Sequence, residues 1–266
     1  MSKAIIYAGC SFTAMPNSWA RQMVEMFPEY KSQVIAKHGA GNDFIARSIV
    51  YEVERQKEMG TSVTHVFVMW SGPERHELFL DTKIYKHLNP WSHQLSTYQR
   101  EGEWGEQPEE RELDFAWLKS GGDYGSWDFT ASEIEVENKM LTDYMESYYK
   151  FNSYDYFNFR SLEDFHYVQM YCRTNQITLV NLTFRDIISP IHGSITSRSV
   201  HKYAYLYNLI DWGQWFFYKN FGGLREWNLE NTNLWDDGYD CHPDKQAHSE
   251  YIEKFIKPHI INKGIL

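Results

Sequence analysis

Along the first 75 residues, short apolar runs alternate with stretches of helical spacing. Ala4 to Ala8 (AIIYA) is an unbroken apolar run closed by Gly9, which predicts a short strand buried on both faces. From Trp19 to Phe27 the apolar positions Trp19, Met23 and Met26 or Phe27 recur at helical intervals and predict a helix. Gln33 to Ala36 (QVIA) predicts a second strand, closed by His38-Gly39-Ala40-Gly41. A stronger helix is expected from about Phe44 to Lys57, with Ile45, Ile49, Val50 and Val53 on one face and Asn42 or Asp43 as its cap. Thr64 to Trp70 (THVFVMW) is apolar nearly throughout, as a central parallel strand is.

Three strand–helix units in succession predict a parallel sheet covered by helices on both faces. Right-handed crossovers bring the C-terminal ends of all its strands to one edge, where open α/β sheets bind ligands. Ile177 to Leu182 (ITLVNL) extends the sheet, and Ala247 to Ile261 predicts an amphipathic terminal helix. Glu133 to Arg173 reads as helical, with a break around Asn152-Ser153, and Asp211 to Leu234 as a Trp-rich loop and helix. Leu78 to Ser132 breaks the pattern, with Gly121-Gly122 and scattered Trp91, Trp104, Trp117 and Trp127 and no period. The expectation is one domain over residues 1–266, with this segment as a lid or flank.

Composition narrows the function classes. A formal charge of −10, from 26 basic and 36 acidic residues, repels phosphate backbones and argues against nucleic acid as partner. No apolar stretch approaches the roughly 20 residues that span a bilayer, and the N-terminal apolar run is too short for a signal peptide. Three cysteines, Cys10, Cys172 and Cys241, leave one unpaired in any disulfide scheme, which favours a reducing, cytoplasmic setting. Aromatic residues reach 17%, and large rings serve cores and sugar-binding walls alike. His76, His87 and His93 match no zinc spacing, so neither metal nor cofactor is implied.

Three segments carry candidate chemistry. Gly9-Cys10-Ser11-Phe12-Thr13 puts a serine directly after the first strand, where its hydroxyl meets the ligand edge and free amides can stabilise an oxyanion. Cys10, pointing the opposite way, is expected to be a small buried hydrophobe. Asp240-Cys241-His242-Pro243 offers an imidazole and, two residues before it, a carboxylate able to hold one tautomer. Gly39-Ala40-Gly41-Asn42-Asp43 brings backbone amides to a helix start, with His38 beside it, but lacks the spacing of a nucleotide loop.

Together these blocks resemble the SGNH/GDSL hydrolase superfamily at both ends of the chain, roughly 1–75 and 235–260. Ser11 matches the nucleophile block, with Cys10 where that family has Asp. Gly41 matches the glycine of the second block, and Asp240-Cys241-His242-Pro243 the closing acid–base block. The resemblance implies a three-layer α/β/α, flavodoxin-like fold and an esterase with Ser11, Asp240 and His242 as its triad. It also implies an oxyanion hole from Ser11, Gly41 and Asn42, and a small-molecule or carbohydrate ester, such as an acetyl ester, as substrate. Two departures stand out. The third block carries an oxyanion-donating Asn in that family, whereas this chain reads Trp70-Ser71-Gly72-Pro73-Glu74-Arg75. Asn42 or Arg75 is left to replace it, and Asp237 competes with Asp240 as the acid. The missing Asn also supports a rival expectation, a binding or assembly protein that keeps the fold without the chemistry.

Overall fold

A computed structural model describes residues 2–37, 39–81, 95–96, 115–120, 147–148, 150–196, 204–236 and 242–266. Its described strands are β1 (Ser2–Gly9), β2 (Lys31–Ala36), β3 (Thr61–Trp70), β4 (His76–Asp81), β5 (Leu95–Ser96), β6 (Phe115–Ser120) and β7 (Thr178–Thr183). Four of them form a parallel sheet in the order β2-β1-β3-β7. The protein is thus an α/β fold built on an all-parallel sheet.

The apolar runs find their reason in this order. β1 and β3 are flanked on both sides, and Ala4 to Ala8 and Val66 to Trp70 are fully buried. Among the described strands β2 pairs only with β1 and lies at the edge, and Gln33 to Ile35 are half-buried rather than enclosed. Each strand runs a residue or more beyond its apolar stretch, because ladder pairing continues into polar positions such as Ser2 opposite Thr61.

The helices are α1 (Ser11–Ala14), α2 (Trp19–Met26), α3 (Asn42–Glu58), α4 (Tyr154–Thr174), α5 (Ile188–Thr196), α6 (Ala204–Leu209), α7 (Leu224–Asn231), α8 (Lys245–Tyr251) and α9 (Lys257–Lys263). A π-helical turn at Ile252–Ile256 joins the last two into one rod, the terminal helix that the spacing anticipates. α3 presents Ile45, Ile49 and Val53, and α4 presents Leu162, Phe165, Val168 and Cys172, to a core that runs from Ala4 to Ile260. α3 packs on α4, whereas α2 packs on α8. Reversal of crossover direction between β1 and β3 sends α2 and α3 to opposite faces, an arrangement consistent with three α/β/α layers. Burial pushes the Cys172 thiol up to about 12, and Cys10 is fully enclosed, as expected of packing residues.

Two sequence expectations change. The cap of α3 is Gly41 rather than Asn42 or Asp43, because the Asn42 side chain is drawn across to the loop after β3. The stretch read as patternless contains an antiparallel sheet in the order β4-β6-β5. Its strands, HELFLD and FAWLKS, pair over a long separation and lack clean alternation, so nothing local announces them. The Trp-rich loop and helix, as large rings commonly do, fills core: Trp215 packs 5.0 Å from Phe165, which lies 4.7 Å from Trp70, and Trp70 Nε1 donates to Asn181 Oδ1 at 2.9 Å. The expected break at Asn152-Ser153 is present, with Ser153 capping α4. Trp91, Trp104, Trp127 and most of the expected lid lie outside the described residues. No helix among the described residues is long and apolar enough to cross a membrane.

Gly9 is the residue on which the first turn depends. A Cβ there would stand 2.2 Å from Thr13 Oγ1 and 2.9 Å from the Met69 carbonyl, a backbone atom in the middle of the sheet. Gly9→Ala is expected to cost about 1–3 kcal/mol as an overpacking change. The check is the midpoint of urea unfolding, and an unchanged midpoint contradicts the close approach.

Candidate active site

β1 ends at Gly9 and the chain turns at once into α1, so Ser11 stands at the C-terminal edge of the sheet. The turn is braced from its far side. Ser18 Oγ donates to the Thr13 carbonyl at 2.7 Å, and Trp19 Nε1 donates to Thr13 Oγ1 at 3.2 Å. Both bonds are buried, which strengthens them and holds α1 in one position.

His242 arrives from the other end of the chain on the returning arm of a short antiparallel stem. Asp236 N–H donates to the His242 carbonyl at 2.9 Å, Asp244 N–H donates to the Leu234 carbonyl at 3.3 Å, and Trp235 bridges Pro243. Asn228, fully buried on α7, clamps the outgoing arm: Nδ2 donates to the Leu234 carbonyl at 2.8 Å, and Oδ1 accepts from Leu234 N–H at 3.3 Å. Asp244 then caps α8 by accepting from Ala247 N–H at 2.8 Å. Sequence reading missed Asn228, whose role depends on an arm six residues away in an irregular loop.

The two ends meet. Ser11 Oγ lies 2.8 Å from His242 Nε2, although 231 positions separate them in the chain. Ser11 is 5% and His242 8% exposed, so the pair sits largely out of water. Phe12 packs its ring 4.6 Å from the imidazole. With the hydroxyl donating, Nε2 is the unprotonated nitrogen and Nδ1 carries the proton, the tautomer a general base needs. Asp240 and Asp237, the carboxylates expected at Nδ1, lie outside the described residues, as do Cys241 and His38.

A second histidine supports the first. His248 Nδ1 accepts from Trp19 N–H at 3.2 Å and so ties α8 to the start of α2. Gln22 Nε2 adds a bond to the Lys245 carbonyl at 3.2 Å across the same junction. Burial, and then the neighbouring His242, hold the imidazole of His248 down to about 3, so it stays neutral. A charged ring at that place would oppose a charge on His242, and a neutral one does not.

The opposite wall is formed by the loops after β2 and β3. Asn42 is buried, and its side chain clasps Ser71 from both sides, Oδ1 accepting from Ser71 N–H at 2.8 Å and Nδ2 donating to the Ser71 carbonyl at 3.1 Å. Nδ2 also donates to Ser161 Oγ at 3.0 Å. Both amide hydrogens are thereby committed, so the side chain of Asn42 holds the wall and is not spare for an oxyanion. Gly41 does lie at this edge, so close to the neighbouring loop that an added Cβ would fall 2.3 Å from the Arg75 carbonyl. Only glycine allows that approach. Arg75 Nη1 donates to Ser71 Oγ at 3.3 Å, and the guanidinium lies 5.6 Å from the Phe184 ring, which packs 4.9 Å from Phe12. Glu74 is buried and accepts from Arg185 Nη2 at 2.7 Å.

Comparison of the chain with protein-family models, curated proteins and solved structures finds no match.

The low value of His248 has a measurable consequence for stability. An unfolded histidine protonates near 6.5, whereas His248 in the fold does so only near 3. Below 6.5 the unfolded chain binds a proton that the native state refuses, so this contribution is whole above 6.5 and is lost as pH falls toward 3. His248→Asn keeps an acceptor for Trp19 N–H without a titrating ring. Urea midpoints followed from neutral to acidic pH are expected to fall less steeply in the variant than in the parent. Parallel curves contradict the depressed value.

Proposed function

We propose that the protein is an SGNH-type serine hydrolase that cleaves an ester through an acyl-enzyme on Ser11. The observation that carries this reading is the buried 2.8 Å contact between Ser11 Oγ and His242 Nε2 at the ligand-binding edge of a parallel sheet. A lone serine hydroxyl is a weak nucleophile, and a neutral imidazole within hydrogen-bond reach is what activates it.

In this mechanism Ser11 Oγ attacks the ester carbonyl while its proton passes to His242 Nε2. The developing oxyanion is met by the backbone N–H of Ser11, in the first turn of α1 where amides have no intrahelical acceptor, and by that of Gly41. His242 returns the proton to the departing alcohol, leaving an acyl group on Ser11. Water, deprotonated by the same imidazole, then releases the acid and restores the hydroxyl. Asp240 is the carboxylate that the sequence resemblance assigns to the Nδ1 proton, and with it to the tautomer. The position of Ser11 directly after the central strand, and of His242 just before a capped C-terminal helix, supports the SGNH form of the fold over other serine hydrolases. A small acyl group such as acetyl, on a carbohydrate or other small alcohol, is the proposed substrate class.

The test is hydrolysis of p-nitrophenyl acetate together with labelling by a fluorophosphonate. Ser11→Ala and His242→Ala are each expected to lower turnover by about 10⁴-fold or more, with Ser11→Ala also abolishing the label. Equal rates in parent and Ser11→Ala, with no label in either, would instead identify a binding protein that keeps the fold.

A further inference from the structure

The sheet edge that carries Ser11 also carries a cation whose charge nothing described balances. The strand order β2-β1-β3-β7 reverses direction at β1 and β3, and the ends of two such strands are where open α/β sheets place their ligand site. Ser11 follows the end of β1, and Ser71 to Arg75 follow the end of β3. From His242 an unbroken chain of ring contacts leads across: to Phe12 at 4.6 Å, from Phe12 to Phe184 at 4.9 Å, and from Phe184 to the guanidinium groups of Arg75 at 5.6 Å and Arg185 at 5.1 Å.

The two arginines differ in what they face. Arg185 is neutralised by Glu74, which is 7% exposed and 2.7 Å away. The other acids of this edge are engaged elsewhere, Asp43 with Arg47 at 3.7 Å and Asp186 with the Ile188 and Ser189 amides at 3.1 and 2.9 Å. Arg75 has no carboxylate partner among the described residues. Its described hydrogen bond goes to a neutral hydroxyl, Ser71 Oγ, and its Nε is buried without an acceptor. A guanidinium offers five N–H donors in a fixed fork that suits a carboxylate or a phosphate. An unmet buried donor on a permanent cation, in a chain of net charge −10, is a feature that a bound anion would satisfy.

We infer that Arg75 is a specificity-determining residue and that the natural substrate is an ester bearing a carboxylate or phosphate beside the scissile bond. Arg75 takes that anion through its fork. Phe184 and Phe12 form the apolar floor between anion and ester, and the Glu74–Arg185 pair borders the site without competing for the ligand. This rests on Ser11 being the nucleophile, but the assignment of Arg75 is separable from it.

The experiment compares p-nitrophenyl hemisuccinate with its neutral methyl ester, which places the anion on the acyl side, and 4-acetoxybenzoate with its methyl ester, which places it on the alcohol side. In at least one pair the parent protein is expected to show a kcat/KM roughly tenfold to a hundredfold higher for the anionic member, the range one charge-assisted arginine contact supplies. Arg75→Gln brings that ratio to about one, and Arg75→Lys, which keeps the charge but loses the fork, gives an intermediate value. A ratio near one in the parent for both pairs overturns the inference and leaves the hydrolase intact. So does an Arg75→Gln protein that slows both members equally, because that marks an oxyanion role instead.

If no Ser11-dependent hydrolysis is found, the hydrolase reading fails and the anion site is judged by binding alone. Calorimetric titration of Ser11→Ala with succinate and with inorganic phosphate then distinguishes the two anions. Binding that disappears in Ser11→Ala/Arg75→Gln supports the site, and heats that match in both proteins, or no heat in either, overturn it.

Discussion

His242 reaches the Ser11 hydroxyl across almost the full length of the chain, and the surrounding structure can be understood as the apparatus that makes this one hydrogen bond hold. A contact closing so long a loop repays its entropic cost only if both partners are already immobile. Ser11 is immobile because β1 is enclosed between β2 and β3, and because Ser18 and Trp19 pin Thr13 behind it. His242 is immobile because its stem pairs with Leu234 to Asp236, Asn228 clamps that stem, and Asp244 starts a helix just beyond that buries Ala247, His248 and Tyr251. Trp19 N–H and His248 Nδ1 then rivet the two halves together a few residues from the reacting atoms. The hydroxyl and imidazole are thus presented to each other by packing, with little left for them to organise themselves.

The wall facing this pair obeys a different economy. Where the family that the sequence motifs resemble sets an oxyanion-donating asparagine after the third strand, this chain has Ser71 to Arg75, and an asparagine on the neighbouring loop, Asn42, commits its whole amide to Ser71 and Ser161. The asparagine has in effect become a rivet between two loops. The same rearrangement brings the Arg75 carbonyl so close to Gly41 that no side chain fits between them, and it turns the guanidinium toward Phe184. The committed amide of Asn42 and the placement of the Arg75 guanidinium thus both follow from the course of a single loop.

Much of the sheet was readable from the chain. The runs AIIYA and THVFVMW are apolar on both faces because β1 and β3 are interior strands, and periodicity reports burial directly. β2, at the edge, was under-read by two residues, since its half-exposed ends carry Lys31 and Ser32. The antiparallel strands β4 and β6 were not legible, because their partners are remote and their own alternation is blurred. Asn42 illustrates a different limit. A cap is a local bond and was the natural expectation, but a buried donor on another loop, the Ser71 N–H, offered Asn42 Oδ1 more than the first-turn amides could.

The amino-acid order alone determined which residues have the reactive groups and where the chain must turn: a serine after an apolar strand, an acid–imidazole pair before a capped helix, glycines where side chains would collide. Those are local properties, set by side-chain chemistry and by the steric limits of the backbone. Whether Ser11 and His242 meet, whether His248 stays uncharged, and which polar groups remain for a ligand once Asn42 and Glu74 are engaged were decided only by the tertiary structure. Each depends on distances between segments far apart in the chain and on the exclusion of water, and neither quantity is encoded at any single position.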